Sequence, residues 1–263
     1  MEGEPLTEYR TGTVHSRVRY SVQPAWQAQR PGRTRRPYTR RLTPSPAISV
    51  NVPNTSVAPM IIGLLVAAGY GRRFDPTGTV SKLETHLEGT MVALRAARPL
   101  LAQCHRVIAA VRPESTRLAE ALAAAGCEIA LVTGDEGMGT SIACGARRAA
   151  LHDALGMLLV QPADMPWLAA SSVRQVVQAK AAAGELIVVP TYRGQDGHPV
   201  RFDRSLVPAL SQLSGERGAR QLLLLHPPLR IPVDDAGVVR DLDKPQDLEA
   251  APPAPASRHS SPS

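Results

Sequence analysis

From residue 60 onward, short apolar runs alternate with helical segments, and this pattern constrains the fold more than any other feature. "IIGLLVAA" (61–68), "RVIAAV" (106–111), "EIALVT" (128–133), "GMLLVQPAD" (156–164) and "ELIVVPTY" (185–192) read as short strands apolar on both faces. Between them lie "TMVALRAARPLLA", where Pro99 is expected to end or kink the helix, and "STRLAEALAAAG", with Gly126 as its stop. "GTSIACGARRAALHD" and "AASSVRQVVQAKAAAG" supply two more helices. Beyond residue 192 the alternation loosens through "GHPVRFD", a helix near 204–213 and "LRIPVDD". Strands buried on both faces and joined by helices predict a three-layer α/β domain with a mostly parallel sheet and helices on both faces. Ligands of such sheets sit beyond the carboxyl ends of the strands, which places 67–82, 134–141 and 162–166 on one rim.

A chain of 263 residues, 43% of them hydrophobic, is long enough for one domain with a sizeable core. It contains no long charge-free apolar stretch, which argues against a membrane span. "MEGEPLTEYR" lacks the basic-then-apolar layout of a secretory leader. Cys104, Cys127 and Cys144 are too scattered for a disulfide framework or a zinc knuckle, so a reduced, cytoplasmic setting is expected. The formal net charge of +7 suggests nucleic acid at first sight. Residues 1–59, however, hold nine arginines and three glutamates, while the remaining 204 residues carry 21 basic and 20 acidic side chains. The basicity belongs to a segment rich in Pro, Arg, Ser and Thr with no sustained period, read as a disordered extension over 1–59. No nucleic-acid partner is expected for the folded part, placed at 60–250 and followed by a loose polar tail over 251–263. Met60, directly before the first strand, is a candidate natural start.

The chemistry gathers on the rim. "LLVAAGYGRRFDPTGTVSK" (64–82) follows the first strand with Gly69, Gly71, Arg72, Arg73 and Lys82. Glycines turn the backbone and expose N–H groups to phosphate oxygens, and the cations counter phosphate charge. Spacing alone leaves two readings open, a phosphate loop or a solvated turn behind a buried strand. Neither GxGxxG nor GxxxxGK[ST] is present, which counts against a dinucleotide oxidoreductase and an ordinary ATPase. In "VQPADMPWL" (160–168), Asp164 ends a strand where a carboxylate can hold Mg²⁺ or simply begin a turn. "IPVDDAGVVRDLDKPQDL" (231–248) holds Asp234, Asp235, Asp241 and Asp243. It reads either as a surface hairpin at "DDAG" followed by a helix cap at Asp243, or as the source of a second metal carboxylate.

The ordered set "LVAAGYGRRF…K", "QPADMP", "GHPVRF", "GERGAR" and "VRDLDKP" resembles the MobA-like nucleotidyltransferases over about 60–250. Within them it looks most like the molybdenum cofactor cytidylyltransferases that serve xanthine-dehydrogenase-type enzymes. The resemblance implies a Rossmann-like nucleotidyltransferase fold and Mg²⁺-dependent transfer of a cytidylyl group from CTP to the phosphate of a molybdopterin cofactor, releasing pyrophosphate. It implies that Ala67, Ala68, Gly69, Gly71, Arg72 and Lys82 grip the triphosphate, with Ser141 in the nucleotide pocket. It further implies that Asp164 and Asp243 hold Mg²⁺, and that Lys82, Arg72 and Asp164 are catalytic. "GHPVRF" and "GERGAR" match acceptor-side segments, with His198 and Arg220 as binding candidates and Arg217 beside them. Ala68 stands where guanosine users carry glycine. The segment "KLETHLEGTMVALR" departs from the family by placing Glu84, His86 and Glu88 at commonly apolar positions. A GTP-dependent or differently accepting nucleotidyltransferase, and a non-catalytic protein delivering the cofactor to a molybdoenzyme, are the alternatives.

Overall fold

A computed structural model describes residues 58–77, 80–134 and 137–248. The extension expected over 1–59 (apart from Ala58 and Pro59), the tail over 251–263, and Gly78 and Thr79 of the 64–82 stretch lie outside the described residues.

The apolar run at the start of the domain forms β1 (Met60–Val66), an interior strand of the sheet. It pairs in parallel with β4 (Arg106–Val111) on one side and β6 (Leu155–Pro162) on the other. β5 (Glu128–Leu131) extends the sheet beyond β4, also in parallel. On the far side β9 (Val200–Asp203) runs antiparallel between β6 and β7 (Ile187–Tyr192). β10 (Leu229–Pro232) then pairs in parallel with β7, whose end carries the short β8 (Gln195–Asp196). The main sheet is therefore mixed, ordered β10-β7-β9-β6-β1-β4-β5. The chain leaves β1 toward β4 and β5, then returns to lay β6 on the opposite side of β1. That reversal opens a crevice at the carboxyl end of β1, where such sheets bind ligands.

Alternate residues of β1 feed two apolar layers. Leu65 packs with α1 (Val92–Gln103) through Val92, Ala96 and Leu100. Ile62 and Leu64 pack with α3 (Met138–Ala149) through Ile142, Ala146 and Ala149, one stripe of that helix. Helix and strand approach so closely that a Cβ added at Gly145 would lie 2.1 Å from Leu64. α2 (Thr116–Ala124) ends before Gly126, whose φ of 101° provides the expected stop.

Three details differ from the sequence reading. Pro99 neither ends nor visibly interrupts α1, which continues to Gln103 with Pro99 buried in its interior. α4 (Ala170–Gln178) stops well short of Gly184 because a buried arginine takes its last carbonyls. Arg201 of β9 donates to Val176, Val177 and Ala179 oxygens at 3.0, 3.1 and 2.8 Å. The helix near 204–213 is a 3-10 turn, Arg204–Leu206, followed by α5 (Val207–Leu210), and α6 (Arg220–Leu225) adds a further short helix. The polar segment after Lys82 forms a small hairpin, β2 (His86–Leu87) and β3 (Thr90–Met91), turning through Glu88 and Gly89 with positive φ.

Candidate active site

The loop after β1 turns at Gly71, where φ is 64° and the carbonyl accepts from Phe74 N and Asp75 N at 2.8 and 3.1 Å. Phe74 is buried and anchors the loop in the core. Gly69 has ordinary φ, and a Cβ there would meet no atom within 4 Å, so its lack of a side chain leaves open space on the rim. Gly69 and Gly71 border a cavity of about 340 Å³ that also touches Ala68, Tyr70, Arg72, Arg73, Lys82, Arg112, Ser141, Asp164, Glu216 and Asp243. Four cations and three carboxylates share this space.

Lys82 is its pivot. Its Nζ lies 2.7 Å from Asp164 Oδ2 and 3.8 Å from Asp243 Oδ1, with only 11% of the side chain exposed. Arg73 reaches Asp243 Oδ2 at 3.3 Å from the solvent side. Asp241 completes a trio with Asp164 and Asp243, each offering an oxygen within 4.8 Å of the others. Partial burial, then the neighbouring Asp243 and Asp164 carboxylates, push the Asp241 carboxyl above its usual range despite Lys82. Lys82 and Arg73 against three carboxylates leave this cluster short of positive charge, and three hard oxygen donors suit a divalent cation such as Mg²⁺.

The opposite wall is the first turn of α3. Gly139 N donates to Gly215 O at 2.7 Å, and a Cβ at Gly137 would fall 2.4 Å from the same carbonyl oxygen, so the "GMG" start fits against the "GERG" turn. Ser141 Oγ donates back to Gly137 O at 3.1 Å. Arg112, at the carboxyl end of β4, donates through Nε to Ala68 O at 2.7 Å and stacks 3.5 Å from the Tyr70 ring centre. Arg72 lies 5.0 Å from the same ring centre.

A second cavity of about 900 Å³ adjoins the first and shares Met138, Pro162 and Glu216 with it. Val160, Val189, Val200 and Phe202 give it an apolar floor, while Arg217, Arg220 and Arg230 give it cations. His198 lines it with Nδ1 3.4 Å from Val160 O. A carbonyl only accepts, so Nδ1 carries the hydrogen and Nε2 is left as an acceptor. Burial holds the imidazole below its ordinary pKa, against the pull of the Val160 carbonyl and the Asp164 charge.

The structure thus brings Ala68, Gly69, Gly71, Arg72, Lys82, Ser141, Asp164 and Asp243 to one cavity and His198, Arg217 and Arg220 to the next. Ala67 is the exception: it is buried in the core and its N–H donates to Ala110 O at 2.9 Å. The Asp243 side chain faces Lys82 instead of capping a helix. The capping carboxylate is Asp247, which accepts from the Asp243 and Lys244 N–H groups at 2.9 and 2.7 Å. Arg112, Tyr70 and Glu216 escaped the sequence reading, and Asp241 was named there without a role. The position of Arg112 directly after an apolar strand was the available signal for that residue.

A crevice at the switch point of a mixed α/β sheet, with a glycine turn, clustered cations and a carboxylate trio, defines a nucleotide-handling enzyme. The chain belongs to the MobA-like NTP transferase domain family, which matches residues 63–229, and it is a nucleotidyltransferase. Purine catabolism protein PucB of Bacillus subtilis (strain 168) is 27% identical over 209 residues, covering 73% of this chain and 96% of that protein. Among solved structures, Rv0371c of Mycobacterium tuberculosis H37Rv superposes with a TM-score of 0.62 at 22% identity, covering 73% of this chain and 96% of that one. Molybdopterin-guanine dinucleotide biosynthesis protein A of Archaeoglobus fulgidus gives a TM-score of 0.51 at 18% identity, covering 72% and 95%. Among the described residues no helix is long and apolar enough to cross a membrane.

Proposed function

We propose that the protein transfers a cytidylyl group from CTP to the phosphate of a molybdopterin-type cofactor and releases pyrophosphate. The observation that carries this reading is the pair of adjoining cavities, one charged and glycine-edged, the other large and apolar-floored. The first suits a triphosphate. The second is larger and more apolar than a small polyol phosphate requires, and suits a ring system bearing an anionic group.

In this reading the acceptor phosphate, already anionic at neutral pH, attacks the α-phosphorus and the bond to the β-phosphate breaks. Asp164 and Asp243, with Asp241 beside them, would hold Mg²⁺, which when bound supplies charge neutralisation at the transferring phosphoryl group. Lys82 exchanges its carboxylate partners for phosphate oxygens, and Arg72 meets the departing charge. Gly69 and Gly71 let the backbone approach, while Ala68 and Ser141 line the nucleotide side. Arg217 and Arg220 draw in the acceptor's anionic group, and neutral His198 offers Nε2 to a donor on its ring. Ala67 supports the loop from the core without touching substrate.

CTP rests on the likeness at Ala68. GTP is the second reading, since the name of one fold neighbour concerns a guanine dinucleotide. The purine catabolism in the name of the Bacillus relative accords with a xanthine-dehydrogenase-type recipient in the cytoplasm. The test is pyrophosphate release with CTP, GTP and ATP, each with molybdopterin cofactor, a sugar phosphate or a polyol phosphate as acceptor. Release confined to CTP with the cofactor supports the proposal. Preference for GTP overturns the assignment at Ala68, and preference for a small acceptor overturns the reading of the second cavity.

A further inference from the structure

The segment that delivers Asp241 and Asp243 is fastened to the loop and helix that follow Asp164. α4 has no capping side chain of its own, because its N-cap is Ala169. Asp235, more than sixty residues away, supplies the missing acceptor. Its Oδ2 accepts from Ala169 N at 2.9 Å and from Ser172 Oγ at 2.7 Å, while Oδ1 accepts from Gly237 N at 2.8 Å. The carboxylate therefore bonds α4 with one oxygen and its own segment with the other.

Further fastenings follow along the same segment. A Cβ at Gly237 would sit 2.3 Å from Trp167 O, so the two backbones touch and only glycine fits. The Arg240 guanidinium lies 3.8 Å from the Trp167 ring centre. Leu242 N donates to the carbonyl oxygen of Asp164 itself at 2.8 Å. His198 N donates to Val238 O at 2.7 Å, which brings the bend before β9 to the same segment. Asp235 comes first along the segment, and it bonds the start of the segment to the first turn of α4.

We propose that Asp235 is a positioning residue for the carboxylate trio: by capping α4 it fixes the 235–243 segment so that Asp241 and Asp243 stand opposite Asp164. It touches neither nucleotide nor acceptor and acts only through backbone placement. The inference rests on the reading that the trio holds a divalent cation.

The test uses the full chain with Mn²⁺ as probe, free ion read by electron paramagnetic resonance, and circular dichroism to certify folding. Asp235→Ala is expected to weaken Mn²⁺ binding about tenfold or more, the range for groups that orient metal ligands. Asp235→Asn, which can accept on only one side, is expected to fall between that variant and wild type. A folded Asp235→Ala protein that binds Mn²⁺ like wild type, while Asp243→Asn does not, overturns the positioning role and leaves the metal reading standing. If Asp235→Ala does not fold, Asp235→Asn decides, and wild-type affinity there overturns the proposal. Absence of Mn²⁺ binding by wild type overturns the metal reading and this inference with it.

Discussion

Replacing Lys82 by methionine should move metal binding and turnover in opposite directions. In the free protein its ammonium group donates to Asp164 at 2.7 Å and stands 3.8 Å from Asp243, between the carboxylates that would receive a cation. Methionine keeps much of the stem and removes the charge. A hydrogen bond to a charged group contributes roughly 1.5–3 kcal/mol. Asp164 retains some solvent, and the longer approach to the more exposed Asp243 is screened, so the lower end applies. At about 1.4 kcal/mol per tenfold, Lys82→Met should tighten nucleotide-free Mn²⁺ binding about tenfold. Turnover should fall by about 10²–10³, the range for losing one charge-stabilising donor. Mn²⁺ titration by paramagnetic resonance and pyrophosphate release measure the two effects. Unchanged or weaker Mn²⁺ binding in Lys82→Met would refute the idea that lysine and cation compete for one set of oxygens.

Other variants probe the supporting structure. Arg201→Met leaves the last carbonyls of α4 without their donor and should cost about 3 kcal/mol, lowering Tm by roughly 6–12 °C in a thermal melt. Asp241→Asn removes a carboxyl whose pKa is raised by burial and by its acidic neighbours. A raised folded pKa means that the metal-free wild type loses stability as pH climbs from the ordinary carboxylate range through that higher value. Urea titrations across that window should therefore show Asp241→Asn to be the more stable protein above it in chelator. For His198 the folded pKa is depressed below 6.5, so its contribution is present above that pH and lost as pH falls toward the folded value. His198→Gln should flatten this acid-side decline in stability, and an unchanged slope would place the acid sensitivity elsewhere.

Local chemistry made the sheet legible. β1, β4, β6 and β7 coincide closely with apolar runs because central strands are buried on both faces and tolerate little else. The rim was legible for the same reason, since strand ends fix where "AAGYGRR" and "ADMP" must sit. What escaped depends on partners far away in the chain. The end of α4 is set by Arg201, and its beginning by Asp235, read from sequence as a turn former. Arg112 enters the first cavity because β4 lies beside β1, a neighbour relation that no local pattern carries. Asp241 and Asp243, two residues apart, share one side of an extended segment, but that this side meets Asp164, nearly eighty residues earlier, is nothing a local pattern carries.

The central claim is that this site breaks the bond between the α- and β-phosphates of a nucleotide and joins the α-phosphate to a phosphorylated acceptor. The most direct measurement is transfer of label from α-³²P-CTP to molybdopterin cofactor, with wild type and Asp164→Asn side by side. The account predicts that wild type moves the label into a dinucleotide form of the cofactor and that Asp164→Asn does not. Label that stays on free nucleotide while wild type binds both substrates would contradict it.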